Sequence, residues 1–316
     1  MVLSLLLIVV GLAALIFGAD WLINGAAGLA KKFKVSDLAI GLTVVAFGTS
    51  APELVVNAVA SIDGYSEIVL GNIIGSNNFN LFIILGIAGL IYPIKVQSST
   101  AWKEIPLSLV VAIFFFIMAN DFFVGGKDVL SRVDGLILLS GFVLFIVYVF
   151  TQLKSEPTDV IEEAIPKIGK LIFYIIIGLA GLIIGGKLVV DHAVSVATEL
   201  GVSQKVIGMT IIAAGTSLPE LVTSVVAAMK KKSDIAIGNV IGSNIFNILL
   251  ILSISSLINP IHYLPAFNTD LYVLMGGTVF LLAGMFTGVF KQLDRWEAGV
   301  LLLFYIGYIV YMIMKG

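Results

Sequence analysis

Two short segments hold the side chains best suited to chemistry. Gly48-Thr49-Ser50-Ala51-Pro52-Glu53 recurs, with one residue changed, as Gly215-Thr216-Ser217-Leu218-Pro219-Glu220, and both lie within long apolar stretches. Proline at such a place removes a backbone donor, and its ring displaces the carbonyl four residues earlier, at Gly48 and Gly215. Carbonyl oxygens are thereby freed, and at membrane depth broken backbone persists only where protein or a wet cavity satisfies it. Thr49 and Glu53, like Thr216 and Glu220, are four residues apart, so an unbroken helix would project hydroxyl and carboxylate the same way. A charged carboxylate in a bilayer costs about 3 kcal/mol or more. Meeting that cost twice, in duplicated settings, points to use of the charge rather than to helix stitching.

A second pair of segments supplies neutral oxygens. Gly71-Asn72-Ile73-Ile74-Gly75-Ser76-Asn77-Asn78-Phe79-Asn80 is echoed by Gly238-Asn239-Val240-Ile241-Gly242-Ser243-Asn244-Ile245-Phe246-Asn247. Asn72, Ser76 and Asn80 fall at i, i+4 and i+8, as do Asn239, Ser243 and Asn247, drawing a polar stripe down an apolar helix. Such stripes can glue helices together by hydrogen bonds, or can offer oxygens to a dehydrated cation. Together with two Glu carboxylates they form an all-oxygen set, which suits Ca²⁺ with its roughly six to eight oxygen ligands and suits Mg²⁺ less well. The two carboxylates carry a formal −2 that one Ca²⁺ or two Na⁺ would neutralise, so these ions can compete for one site. With no Cys, disulfides and thiolate sites are excluded, and with only His192 and His262 as imidazoles zinc-type chemistry is disfavoured.

The elements that position these residues are membrane spans. Of the 316 residues 59% are hydrophobic and 12% charged, with a mean hydropathy of +1.11, too little polar surface for a water-soluble globule of this length. Spans of roughly 20 residues are predicted at 2–30, 37–62, 67–91, 104–120, 133–151, 169–197, 204–229, 235–258, 268–287 and 296–314. The apolar opening lacks the positive n-region of a signal peptide and reads as a retained first span. The polar stretch 152–168 divides the spans five and five as a cytoplasmic linker. Loops joining spans 1–2, 3–4, 5–6, 7–8 and 9–10 hold 13 of the 18 Lys and Arg, which places those loops in the cytoplasm and both termini outside.

The halves are also related in sequence. An offset of 167 aligns Gly48 with Gly215, Glu53 with Glu220, Asn80 with Asn247 and Pro93 with Pro260. Residues 41–53 and 208–220 share 8 identities in 13 positions, and 71–80 and 238–247 share 8 in 10. Because each half has an odd number of spans, the second copy enters the bilayer from the opposite side. The expected fold is an all-α membrane protein of ten transmembrane helices, arranged as two inverted five-helix repeats, 1–151 and 169–316, with broken helices at the ion site. Asp20 and Lys187 occupy equivalent places in the repeats, and Lys187 stands four residues before Asp191, so both read as structural ion-pair residues.

Paired G-T-S-x-P-E and G-S-N-x-F-N segments in a five-plus-five membrane protein resemble the α-repeats of the cation/calcium exchanger superfamily, and most of all its prokaryotic Na⁺/Ca²⁺ exchangers. The motif match covers about residues 41–93 and 208–260. The resemblance implies that Glu53 and Glu220 are central Ca²⁺ and Na⁺ ligands and that Thr49, Ser50, Thr216, Ser217, Ser76 and Ser243 are hydroxyl ligands. It further implies backbone carbonyl ligation at Ala46 and Ala213, side-chain completion by Asn80 and Asn247, and sliding of spans 1 and 6 across the other eight. Many sodium-coupled and K⁺-dependent members carry Asp where this chain has Asn247, which points away from K⁺ co-transport. The expected function is a Na⁺/Ca²⁺ antiporter of the cell (inner) membrane, not an enzyme, working in the lipid bilayer without cofactor, nucleic acid or obligatory protein partner. A Ca²⁺/H⁺ exchanger is the alternative; a passive cation channel, or a hydrolase using Ser50 or Ser217, is disfavoured by the duplicated broken helices and the lack of a base in the motifs.

Overall fold

The computed structural model describes residues 1–120, 128–152, 166–200 and 213–315. The chain is almost wholly helical: α1 Val2–Phe33, α2 Asp37–Thr49, α3 Ala51–Ile62, α4 Ser66–Ile91, α5 Thr100–Ala119, α6 Arg132–Thr151, α7 Ile168–Glu199, α8 Leu218–Met229, α9 Ser233–Ile258, α10 Pro265–Gly284 and α11 Arg295–Met312. Among the described residues eight of these are long and apolar enough to cross a membrane, and α2 with α3, bent by 48° at Ser50, makes a ninth. The predicted spans coincide with these helices within a few residues. The first part of span 204–229 lies outside the described residues, as does most of the linker 152–168, so the count of ten rests in part on the sequence.

Burial divides the helices into two classes. The most apolar stretches of α4 and α9 are 72% and 94% buried, whereas those of α1, α7, α6, α10 and α11 are only 22–28% buried. The central pair thus carries the polar stripes inside protein, and the outer helices present Leu, Ile, Val and Phe outward, as lipid-facing surfaces require. α1 and α7 run against each other at the closest approach that backbones permit. A Cβ on Gly18 would meet the Gly178 carbonyl at 2.8 Å, and one on Gly185 would meet the Gly11 carbonyl at 2.7 Å. Only small residues allow this contact, which compensates in packing for the lack of a hydrophobic drive between helices in lipid.

Local chemistry sets the helix ends. Ser36 caps α2, its Oγ accepting from the Ala39 N–H at 3.0 Å, with Asp37 in the first turn. Two antiparallel strand pairs tie helix ends across the molecule: β1 (Ile94–Lys95) with β4 (Gln292–Leu293), and β2 (Val129–Leu130) with β3 (Ile261–His262). Lys230 at the end of α8 pairs with Asp20 of α1 (Nζ–Oδ1 2.5 Å) and donates to Asn24 Oδ1 at 2.9 Å. Asp20 thus forms the structural ion pair expected of it, with a partner on another helix, whereas among the described residues Lys187 forms no ion pair with Asp191, which corrects that expectation. Two further intramembrane acids each accept from a tyrosine: Tyr148 donates to Glu104, and Tyr308 donates to Asp270 Oδ1 at 2.6 Å.

Candidate functional site

The site forms where each broken helix restarts. The backbone leaves helical geometry at Ser50 (φ −82°, ψ 5°) and at Ser217 (φ −89°, ψ 8°), and α3 and α8 begin one residue later with Pro52 and Pro219 in their first turns. Proline costs little there, because first-turn amides have no intrahelical acceptor to lose. Glu53 and Glu220 follow in the same turns, at a helix end that carries about half a positive charge. The proline therefore acts chiefly by restarting the helix beneath the carboxylate. The carbonyl at Ala46 remains engaged, accepting the Ser50 N–H at 3.0 Å, with the Thr49 hydroxyl oxygen 3.4 Å away.

Each carboxylate is dressed by hydroxyls from the other half of the chain. Ser50 donates to Glu220 Oε1 at 2.9 Å and lies 3.0 Å from Ser243 Oγ. Ser217 donates to Glu53 Oε1 at 3.2 Å and lies 3.1 Å from Ser76 Oγ. Thr49 donates to Asn239 Oδ1 at 3.1 Å, and Asn72 Nδ2 donates to Thr216 Oγ1 at 3.5 Å. Shifting each residue by 167, upward in the first half and downward in the second, turns one set into the other. Thr49 and Glu53 stand on either side of the break at Ser50, and the Thr49 hydroxyl bonds to Asn239 of the opposite copy.

Thr49, Ser50, Glu53, Ser76, Asn80, Ser217, Glu220, Ser243 and Asn247 are all 0–3% exposed, and Ala46 is fully buried. Ala213 opens a short helical turn, Ala213–Gly215, just ahead of the second break. The two ends of the site differ in access: Thr49 and Asn239 are buried, whereas their counterparts Thr216 and Asn72 are partly exposed. Among the described residues, Glu53 Oε2, Glu220 Oε2, Asn80 Oδ1 and Asn247 Oδ1 are buried without a hydrogen-bond donor. Each such unmatched acceptor costs about 1–3 kcal/mol in a protein interior, and all four are oxygens that a desolvated hard cation would satisfy.

Residues in and beside the stripes have parts that were not evident from sequence. Asn57 donates to the Glu53 carbonyl at 2.7 Å and to Asn72 Oδ1 at 2.9 Å; Asn239 donates to Ser224 Oγ at 2.9 Å and to the Glu220 carbonyl at 3.3 Å. Asn77 and Asn244 bond to each other's backbones. The 167-residue offset was the available signal, since it pairs Asn57 with Ser224, Asn72 with Asn239 and Asn77 with Asn244. Asn80 and Asn247 each lie in a wide, π-helical turn, Phe79–Ile84 and Asn247–Ile251, which redirects their side chains relative to the stripe above. Such turns recur at functional sites.

Known proteins share this plan along the whole chain. The sodium/calcium exchanger MaX1 of Methanosarcina acetivorans is 33% identical over 346 residues, covering 97% of both chains. The inner membrane protein YrbG of Escherichia coli is 37% identical over 286 residues, covering 87% of this chain and 86% of its own. A solved structure of the sodium-calcium exchanger NCX_Mj superposes with a TM-score of 0.85 at 33% identity, covering 98% of this chain and 99% of the other. The family described as sodium/calcium exchanger protein matches residues 3–151 and 170–314, one block on each side of the polar stretch. Two matched blocks, a duplicated pair of broken helices and a shared multi-pass fold leave one assignment: the chain is a membrane protein of the sodium/calcium exchanger family.

Proposed function

We propose that this chain is a secondary antiporter that exchanges Na⁺ for Ca²⁺ by alternating access, without K⁺. The observation that carries the reading is the set of four buried, donor-less oxygens on Glu53, Glu220, Asn80 and Asn247. Ca²⁺ sits between the two carboxylates, with the Asn80 and Asn247 oxygens and the hydroxyls of Thr49, Ser50, Ser76, Thr216, Ser217 and Ser243 completing the shell alongside the Ala46 and Ala213 carbonyls. Na⁺ ions occupy the same oxygens in its place. The fixed charge of −2 makes the sites for the two ions mutually exclusive, and this exclusion couples their movements. An amide at position 247 in place of a third acid lowers the fixed negative charge available to K⁺, which supports K⁺ independence.

Residues 1–151 and 169–316 act as inverted repeats across the linker 152–168, in an inner membrane with both termini outside. The lysine bias of alternate loops supports this orientation. In it, partial exposure of Thr216 and Asn72 opens the site outward, while buried Thr49 and Asn239 close it inward. The glycine-faced α1–α7 pair is the element that slides, because its backbones lock to each other while its outer faces meet only lipid.

The decisive experiment is radioactive Ca²⁺ uptake into sealed proteoliposomes, K⁺ absent, under an outward Na⁺ gradient or an outward H⁺ gradient. Uptake driven by Na⁺ alone, and lost in Glu53→Gln and Glu220→Gln, supports the exchanger and its site together. Uptake driven by H⁺ alone would make it a Ca²⁺/H⁺ exchanger, and uptake with no counter-gradient would make it a channel.

A further inference from the structure

Asn77 and Asn244 form a reciprocal pair beside the two polar stripes. Asn77 Nδ2 donates to the backbone carbonyl of Asn244 at 3.3 Å, and Asn244 Nδ2 donates to the backbone carbonyl of Asn77 at 3.3 Å. A carbonyl can only accept, so each of these carboxamides has its nitrogen committed and its orientation decided. Their oxygens are thereby turned to the neighbouring asparagines. Asn77 Oδ1 accepts from Asn247 Nδ2 at 2.8 Å, and Asn244 Oδ1 accepts from Asn80 Nδ2 at 3.1 Å. Asn247 and Asn80 thereby have their nitrogens fixed on this side, and the oxygen on the other branch of each is buried and without a donor.

A carboxamide is nearly symmetric in shape but opposite in polarity at its two branches. Turned by half a revolution, Asn80 or Asn247 would present two N–H groups to the site and repel a cation that its oxygen would bind. We propose that Asn77 and Asn244 are positioning residues that lock the carboxamides of Asn80 and Asn247 with oxygen toward the ion. The chain of reasoning starts from two backbone carbonyls, whose polarity is not adjustable, and passes through two hydrogen bonds on each side. It rests on the ion-site reading given above. The lock matters most at position 247, because a carboxylate there would present oxygen on both branches and need no orientation.

That difference supplies the test. Purified wild type, Asn77→Leu, Asn247→Asp and the double variant Asn77→Leu/Asn247→Asp are compared by Ca²⁺ titration calorimetry and by the half-saturating Ca²⁺ for Na⁺-driven uptake. Asn77→Leu frees Asn247 to turn and is expected to weaken Ca²⁺ binding by about tenfold or more. On the Asn247→Asp background the same substitution is expected to cost less than about threefold, because no orientation remains to be lost. A merely structural role for Asn77 predicts the same loss on both backgrounds, and that outcome, or an unchanged affinity in Asn77→Leu, overturns the proposal. The cycle of Asn244→Leu with Asn80→Asp asks the same question in the other copy, and decides it if Asn77→Leu does not fold. Glu53→Gln is run alongside. If it binds Ca²⁺ as wild type does, the ion-site reading itself fails; if it abolishes binding while the asparagine cycles are additive, only the lock fails.

Discussion

Lys230 and Asp20 form an ion pair, 2.5 Å between Nζ and Oδ1, that joins the lysine-rich end of α8 to the middle of α1. Subtracting or adding 167 gives Asp63 and Lys187, the same pair with its charges exchanged, and among the described residues those two form no ion pair. One end of the molecule is therefore tied and its counterpart is not, in step with the burial of Thr49 and the partial exposure of Thr216.

The tie should bias the protein toward the arrangement described here. Both side chains are partly exposed, at 29% and 41%, so the pair is worth about 0.5 kcal/mol. Asp20→Asn should then raise the half-saturating external Ca²⁺ for uptake by about twofold. Asp20→Lys, which sets like charges together, should raise it further, and Asp20→Lys/Lys230→Asp should bring it back. A charge-swapped protein no better than Asp20→Lys would show that the contact holds nothing.

Glu53→Gln and Glu220→Gln should abolish exchange while preserving the fold. The amide keeps the shape of the carboxylate and removes a buried charge whose desolvation costs about 3 kcal/mol. Thermal unfolding in detergent should show each variant at least as stable as wild type without ions. Added Ca²⁺ should stabilise wild type, as any ligand of the native state must, and should leave both variants unmoved. Stabilisation of either variant by Ca²⁺ would place the ion elsewhere.

Much of this arrangement could be read from sequence, and the remainder could not for a definite reason. The spans follow from hydropathy, and the break at Ser50 follows from Gly48 and Pro52 within an apolar run. Which oxygen meets which donor does not follow, since Ser50 and Glu220 are 170 residues apart and meet only once the two halves have packed against each other. The wide turns at Phe79–Ile84 and Asn247–Ile251 carry no proline or glycine to announce them. That Asp20 belongs to an ion pair could be read, but its partner could not, because Lys230 stands on another element; the pair expected between Lys187 and Asp191, visible as a four-residue spacing, is not formed among the described residues.

The crossed hydroxyls make a prediction about coupling. Ser50→Ala removes the donor to Glu220 Oε1 and leaves Glu53 untouched. In a stability cycle without ions, Ser50→Ala and Glu220→Gln should therefore couple by about 1 kcal/mol, as should Ser217→Ala and Glu53→Gln. Ser50→Ala with Glu53→Gln should be additive within about 0.5 kcal/mol, although those two residues are neighbours in sequence. Coupling within each segment rather than across the two would contradict the crossed geometry.

The α1–α7 contact can be tested by size alone. A Cβ at Gly178 would stand 2.6 Å from the backbone nitrogen of Leu22, and one at Gly18 would stand 2.8 Å from the carbonyl of Gly178. These are backbone atoms of rigid helices, so neither neighbour can swing aside and the helices must part. Gly18→Val and Gly178→Val should each cut the initial rate of Na⁺-driven Ca²⁺ uptake by about tenfold or more, whereas Gly307→Ala in α11, with no described heavy atom within 4 Å, should be silent. Calcium titration separates the causes of a slow rate. If the glycines serve the movement of the pair, the Val variants should still bind Ca²⁺ within about threefold of wild type, because no candidate ligand lies on α1 or α7. If binding and rate fall together, the glycines hold the site's walls in place, and the sliding of α1 with α7 loses its structural support.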